Sequence, residues 1–274
     1  MVGTGIKAAA QLTQEALFHI KNDDHVMYLV ADPVTRAYIL ELNPGAESLH
    51  VFFEQGKPRY ASYEAIVEHA LNFLRKGLNT CVAFYGHPGI FVYPSHELVR
   101  RAAGEGFKAV MLPGISAEDC LFADLGFDPG RDGVQSFEAT DFLIYEHIPD
   151  TKALLVLWQI GVIGELAHLG MESRSKGLSV MRDRLMEFYP ASHLATLYEA
   201  SQFAGFEYLK AECQLQELTG AQVSPFSTLV VPACQPCTAS PEVLKKLNMA
   251  APRPRPYKEH SQPGIQPREG YHAC

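Results

Sequence analysis

Two glycine-rich turns and one helix start hold the residues of this chain best suited to chemistry. VAFYGHPGIF spans residues 82–91, and LPGISAEDCLFADLG spans residues 112–126. Each reads as an apolar, β-rich run, a sharp Gly/Pro break and then helical spacing. A turn at the carboxyl end of a strand is where open α/β folds hold a ligand against exposed backbone amides. In the first turn Gly86 and Gly89 allow close backbone approach, Pro88 fixes the bend, and Tyr85 and His87 add aromatic and polar edges. One such turn alone reads equally well as a structural strand-to-helix connection; two in register point to binding. Arg59 and Tyr63 lie four residues apart where a loop enters a helix, so a permanent cation and a phenol can face one cleft. The plainer reading is an arginine at a helix start with a tyrosine on its surface.

These residues need a β/α framework to position them. Residues 2–6 read as a short first strand breaking into a glycine turn, with a helix running on to about residue 18. Strands are expected at 25–31, 48–53, 79–84 and 107–112, with helices between 31 and 48, at 62–76 and at 95–103. That alternation implies a largely parallel sheet. At 128–133 the chain becomes charged and Gly-rich, which divides it into domains at 1–127 and 134–238. The second half carries expected strands at 142–145, 154–158, 194–199 and 227–232 and a helix at 179–189. Residues 239–274 read as an extended or disordered Pro/Arg-rich tail, clearest in PRPRP at 252–256.

Bulk properties exclude several classes. A net charge of −8 argues against a broad nucleic-acid surface. No apolar run reaches the roughly 18 residues that would span a membrane, and the N-terminus lacks a signal-peptide layout; a cytoplasmic protein is expected. Cys81, Cys120, Cys213, Cys234, Cys237 and Cys274 are read as reduced thiols, and no second CxxC or nearby histidine completes a metal set around Cys234 and Cys237. His96, His147, His168 and His193 form no ligand spacing either. Glu118 and Asp119 fall in the first turn after PGIS, where acidic groups complement the helix dipole.

YGHPGIF and LPGISAEDCLFADLGFDPG together resemble the tetrapyrrole-methylase-like class of S-adenosylmethionine methyltransferases. More narrowly they resemble its borosin branch, which methylates peptide backbone nitrogens. RYASY (59–63), FEAT (137–140), LLVLWQIGVIGE (154–165) and PFSTLVVP (225–232) extend the likeness over residues 2–232. The resemblance implies an α/β fold of two domains, with a largely parallel N-terminal sheet, a mixed C-terminal sheet and a cleft between them for S-adenosylmethionine. It also implies a homodimer. Nothing after residue 256 is like the Val-, Ile- and Gly-rich core peptide that fungal members carry, so the likeness is to the split bacterial type, which acts on a separate precursor peptide.

The resemblance places Arg59 and Tyr63 on the family's catalytic arginine and tyrosine. A backbone amide is a poor nucleophile because its lone pair is delocalised into the carbonyl. Arg59 would stabilise charge on the carbonyl oxygen, and Tyr63 would take the N–H proton. Fungal members have a further tyrosine about six residues before the arginine; here that position is Phe53, with Tyr60 as another source of a hydroxyl. For the cofactor the resemblance nominates Tyr85, His87, Ile90, Phe91, Ser116, Ala117, Gln159, Tyr198, Ser227 and Thr228, with no metal. Trp158 and the apolar IGVIG run at 160–164 are either core or site lining. Two alternatives stay open: a methyltransferase of the same fold acting on a corrin or porphyrin precursor, and a catalytically idle module that binds a peptide or S-adenosylmethionine.

Overall fold

The computed structural model of the chain describes residues 1–30, 32–53, 56, 58–165 and 172–251; His168, the PRPRP motif and Cys274 lie outside them. The first half runs β1 (Val2–Gly3), α1 (Gln14–Asn22), β2 (His25–Leu29), α2 (Pro33–Leu42), β3 (Glu47–Ser48), α3 (Arg59–Arg75), β4 (Thr80–Phe84) and α4 (Tyr93–Gly104). Its sheet has the order β1-β4-β2-β3 and every pairing is parallel. Parallel sheets need cover on both faces. Ile66, Val67 and Leu71 of α3 and Leu98 of α4 pack with Met27 and Val82 on one side. Ala16 and Ile20 of α1 and Ile39 of α2 pack with Val26 and Tyr28 on the other. Side chains of this size contribute roughly 1.5–3 kcal/mol each when fully buried.

The second half runs α5 (Ala117–Leu125), α6 (Pro129–Asp132), β5 (Val134–Glu138), α7 (Ala139–Ile144), β6 (Leu154–Trp158), α8 (Glu172–Met186), β7 (Leu194–Glu199), β8 (Leu209–Gln214), β9 (Thr228–Val231) and α9 (Pro241–Lys246). Its sheet has the order β5-β6-β9-β7-β8, parallel between β5 and β6 and antiparallel elsewhere. The contrast of a parallel and a mixed sheet expected from the resemblance is therefore present. Phe142, Met181, Leu185 and Leu218 fill one face of this sheet. Helix α5 covers the other face through Leu121, against Val156, Trp158, Tyr198 and Val230. No helix among the described residues is long and apolar enough to cross a membrane.

Several sequence expectations need correction. The strand expected at 142–145 is the end of α7, because Glu138 caps that helix by accepting from the Asp141 amide (2.8 Å). The strand in that region is β5, which ends in the FEAT motif. Of residues 48–53 only Ser48 pairs; its hydroxyl caps a 3₁₀ turn over Leu49–Phe52, which buries Leu49 and leaves Val51 exposed. Residues 107–112 form no ladder. They are tied to the chain start instead, the Met1 ammonium donating to the Val110 carbonyl (2.8 Å) and the Leu112 amide to the Met1 carbonyl (2.9 Å). The first helix begins only at Gln14, capped by Thr13. Within the expected tail, Ser240 caps the exposed α9.

Candidate active site

The carboxyl ends of β1 and β4 meet in a junction that only glycine permits. A Cβ on Gly3 would lie 2.3 Å from the Gly86 carbonyl oxygen and 3.2 Å from the Gly114 Cα, and one on Gly114 would lie 2.9 Å from that same oxygen. Gly86 has φ +72°, a left-handed conformation that other residues resist. Reciprocal bonds between Gly5 and Gly86 (3.0 and 3.2 Å) and one from the Tyr85 amide to the Leu29 carbonyl (3.0 Å) fix the turn after β4. Within it the Gly89 amide donates to His87 Nδ1 (2.9 Å), so the imidazole carries its proton on Nε2. His96 Nε2 donates to the Gly89 carbonyl (2.9 Å), giving that histidine a supporting role.

Loops of the second sheet face this junction. Tyr85 lies 6.4 Å from Phe226 and Phe91 lies 6.2 Å from Trp158, ring centre to ring centre. Burial, above all, pushes the Tyr85 phenol up from its ordinary value. Phe91 (φ 54°) and Gln159 (φ 60°) are both non-glycine residues in the left-handed region, one on each side of the cleft. Such conformations cost about 1–3 kcal/mol and collect at ligand sites. Trp158 is both core and lining: it packs with Val156 and Tyr198, donates to Ser136 Oγ (2.7 Å) and touches Phe91.

Arg59 and Tyr63 occupy the first two turns of α3. The Tyr63 ring lies between Phe53 and Tyr93, with both centroids at 6.1 Å. Phe53, at the position where the resemblance expects a tyrosine, meets Tyr63 edge-on with a ring that has no hydroxyl. Tyr60 points away, 60% exposed, and its ring lies 5.4 Å from that of Tyr93. Tyr93 donates to Glu64 Oε1 (2.8 Å), leaving the Tyr60 hydroxyl, 3.4 Å away, to donate to Tyr93. Bonds from Arg101 and then Tyr93 hold the Glu64 carboxyl below its ordinary range. Across the cleft, Arg59 Nη2 lies 3.8 Å from Glu165 Oε2.

The nominated cofactor residues divide into two groups. Tyr85, His87, Ile90 and Phe91 share the turn after β4, and Ile90 and Phe91 are partly exposed. Gln159 directly follows β6, and the Ile160 amide beside it donates to the Ser227 carbonyl (3.2 Å). The hydroxyls of three others are committed internally. Ser116 donates to Asp119 Oδ2 (2.7 Å) within a capping box that starts α5, with Ala117 the first helical residue. Tyr198 donates to Asp124 Oδ2 (2.7 Å), and Ser227 to Glu199. Thr228 is buried and pairs with Tyr198 in the sheet. For Ser116, Tyr198 and Ser227 the side chain builds the wall, and the backbone is what remains for a ligand.

The family of tetrapyrrole (corrin/porphyrin) methylases matches residues 1–204, about three quarters of the chain. The chain belongs to that family. The chain is 37% identical over 263 residues to the methyltransferase/ribosomally synthesized cyclic peptide gymnopeptides precursor of Gymnopus fusipes, an alignment that covers 94% of this chain and 63% of that protein. It is 43% identical over 199 residues to the methyltransferase/ribosomally synthesized type I borosin cyclic peptide precursor of Serendipita vermifera subsp. bescii, covering 72% of this chain and 48% of that one. The chain thus spans roughly half to two thirds of the length of these relatives. Among solved structures, uroporphyrin-III C-methyltransferase from Thermus thermophilus, complexed with S-adenyl homocysteine, aligns with a TM-score of 0.55 at 18% identity over 84% of this chain and 95% of that chain. That likeness carries the fold.

Three further residues of the chain stand at the cleft without having been nominated from sequence. Glu165 is buried on a loop of the second half, and Tyr93 completes the aromatic cage around Tyr63. Asp32 caps α2 through Oδ1, accepting from the Thr35 amide (2.7 Å), while its other oxygen is buried without a partner among the described residues. Asp-Pro at 32–33 is a helix-start pattern present in the sequence, and it signals the cap without signalling the cleft. Nothing in the linear pattern showed that Glu165 faces Arg59.

Proposed function

We propose that this chain is an S-adenosylmethionine-dependent methyltransferase that N-methylates backbone amides of a separate precursor peptide, working as a homodimer in the cytoplasm. The observation that carries the reading is the placement of Arg59 and Tyr63 together on the first turns of α3, at a cleft between two sheets. The two relatives named above, which are called peptide precursors as well as methyltransferases, support it. The cleft also fits the cofactor. The glycine junction packs the turns after β1 and β4 and the loop before α5 backbone to backbone, Ile90 and Phe91 offer an apolar surface, and Asp32 Oδ2 is a buried acceptor without a donor among the described residues. Tyr85, His87, Ile90, Phe91 and Gln159, with the backbone at Ser116, Ala117, Tyr198, Ser227 and Thr228, would hold it. When bound, S-adenosylmethionine supplies an electrophilic methyl group on a sulfonium sulfur.

Arg59, always protonated, holds the carbonyl oxygen of the reacting peptide unit as negative charge develops there. Tyr63, as general base, takes the N–H proton, so that the nitrogen lone pair becomes available for the methyl group. Phe53 and Tyr93 restrict the Tyr63 ring to one orientation, an effect on attack geometry rather than on charge. The test is co-expression with a candidate precursor peptide, a short open reading frame sought beside this gene or a synthetic Val/Ile/Gly-rich gene, followed by intact-mass and fragmentation analysis. Added methyl groups on backbone nitrogens are the expected result. An unmodified peptide alongside retained S-adenosylmethionine binding would overturn the peptide assignment. Methylation of a corrin or porphyrin precursor under the same conditions would establish the second reading, which the family's description favours.

A further inference from the structure

We propose that Glu165 is the positioning residue for Arg59, a carboxylate set by the second half of the chain to hold the guanidinium of the first. The inference rests on the proposed role of Arg59. The Glu165 side chain is only 3% exposed, and its Oε2 lies 3.8 Å from Arg59 Nη2. Glu165 Oε1 and Arg59 Nε are both buried and, among the described residues, neither has a hydrogen-bond partner. A buried carboxylate requires a compensating charge or donors, and the charge it faces is Arg59. Nε and Nη2 form one edge of the guanidinium, and that edge matches the two oxygens of a carboxylate. The pair as it stands engages one atom of each at ion-pair distance and leaves the other of each without a bond. A small approach makes it bidentate. Nη1 is then free for a substrate oxygen.

Glu165 is delivered by a firmly built loop. A Cβ on Gly161 would lie 1.9 Å from the Ser224 carbonyl oxygen, so that turn sits directly on the backbone before β9. The Gly164 amide donates to Thr140 Oγ1 (3.2 Å), and the Glu165 amide to the Val162 carbonyl (3.1 Å). Ile163 is backed by Gly177 of α8, where a Cβ would lie 2.8 Å from the Ile163 Cβ. The IGVIG run is thus the support that fixes a charge opposite α3.

The test uses Glu165→Gln, which keeps shape and removes charge, and Glu165→Asp, which keeps charge and shortens reach. The first readout needs no substrate: solvent exchange of the Arg59 Nε–H followed by ¹⁵N NMR in the presence of S-adenosylmethionine. Exchange should accelerate about tenfold or more in Glu165→Gln and less in Glu165→Asp. The second is methylation of a synthetic Val/Ile/Gly-rich peptide. Here kcat should fall about 10–100-fold, the scale of misplacing a reacting group by an ångström, with KM and cofactor affinity nearly unchanged. In combination with Arg59→Lys the two losses should be less than multiplicative. Unchanged exchange, wild-type kcat or independent losses would each overturn the proposal. If the wild-type enzyme methylates no peptide, the functional reading fails, and Nε–H exchange still decides the role of Glu165. Should Glu165→Gln not fold, Glu165→Asp carries both readouts.

Discussion

At the scale of single residues, Tyr63 is where the mechanism is most exposed to test. Its ring is held between Phe53 and Tyr93, so Tyr63→Phe keeps both ring contacts and removes only the hydroxyl. Loss of a positioned general base lowers turnover by about 10²–10⁴-fold. The expected outcome is that kcat falls by that scale while S-adenosylmethionine affinity by calorimetry and the thermal midpoint stay at wild-type values. Undiminished kcat would remove Tyr63 from the chemistry. Arg59 and Tyr63 could be nominated from sequence because RYASY resembles the family's motif, and their four-residue spacing brings both side chains to one face once a helix is granted. Glu165 could not. Its partner lies 106 positions away, and only the docking of the IGVIG turn on the backbone at Ser224 brings the two charges together.

At the scale of elements, that docking makes Gly161 a specific test. An alanine Cβ there would meet Ser224 O at 1.9 Å, Ser224 C at 2.6 Å and Pro225 N at 3.2 Å, all backbone. Gly161→Ala should destabilise by at least the ~1–3 kcal/mol typical of overpacking, read as a lower urea midpoint. Gly104→Ala is the control. Among the described residues nothing lies within 4 Å of a Cβ built there, so its midpoint should be unchanged or higher. The ion pairs along α4, which reach α3 through Arg101 and Glu64, are tested by pH at Glu97. Bonds from Arg100 and then Arg101 bring Glu97 from the ordinary 4.5 to about 2, and Arg101 also holds Glu64 low. A carboxyl whose folded pKa is depressed stabilises above its unfolded pKa, and that contribution is lost as pH falls through the folded value. The gap in urea midpoint between wild type and Glu97→Gln should therefore be constant near neutrality and close as pH drops from 4.5 towards about 2. A gap independent of pH would mean that Glu97 contributes no charge interaction. Elements were legible where burial imposed a pattern. Leu154–Trp158 reads as a continuous apolar run, and every residue of β6 is buried. Strand β8 went unread because LKAECQ lies at a sheet edge with mostly exposed, unpatterned side chains. Residues 142–145 were misread because the Glu138 cap, not the apolar composition, decides their conformation.

At the scale of the whole molecule, a cofactor held between the two sheets must couple them. Tyr85 and Phe91 reach Phe226 and Trp158, the Ala8 amide donates to the Gln202 carbonyl (2.8 Å), and Arg59 faces Glu165. These contacts are few beside the cores on either side, so a ligand that touches both rims adds selectively to what joins them. S-adenosylmethionine at 100 times its Kd would stabilise the folded chain by about 2.7 kcal/mol. At ~2–4 °C per kcal/mol for a chain of this size, the thermal midpoint should rise by roughly 5–10 °C. The location of the effect is more telling than its size. Hydrogen exchange should slow at residues 85–91, after β4, and also at 159–165 and 224–227, across the cleft. Protection confined to the first of these would place the cofactor on the first sheet alone. Gln159 would then lose its assignment, and the left-handed strain at Gln159 (φ 60°) would need a cause within the second sheet. Protection on both rims would make cofactor binding the event that sets the Arg59–Glu165 distance, because a ligand bridging Phe91 and Gln159 fixes the same cleft that those two charges span.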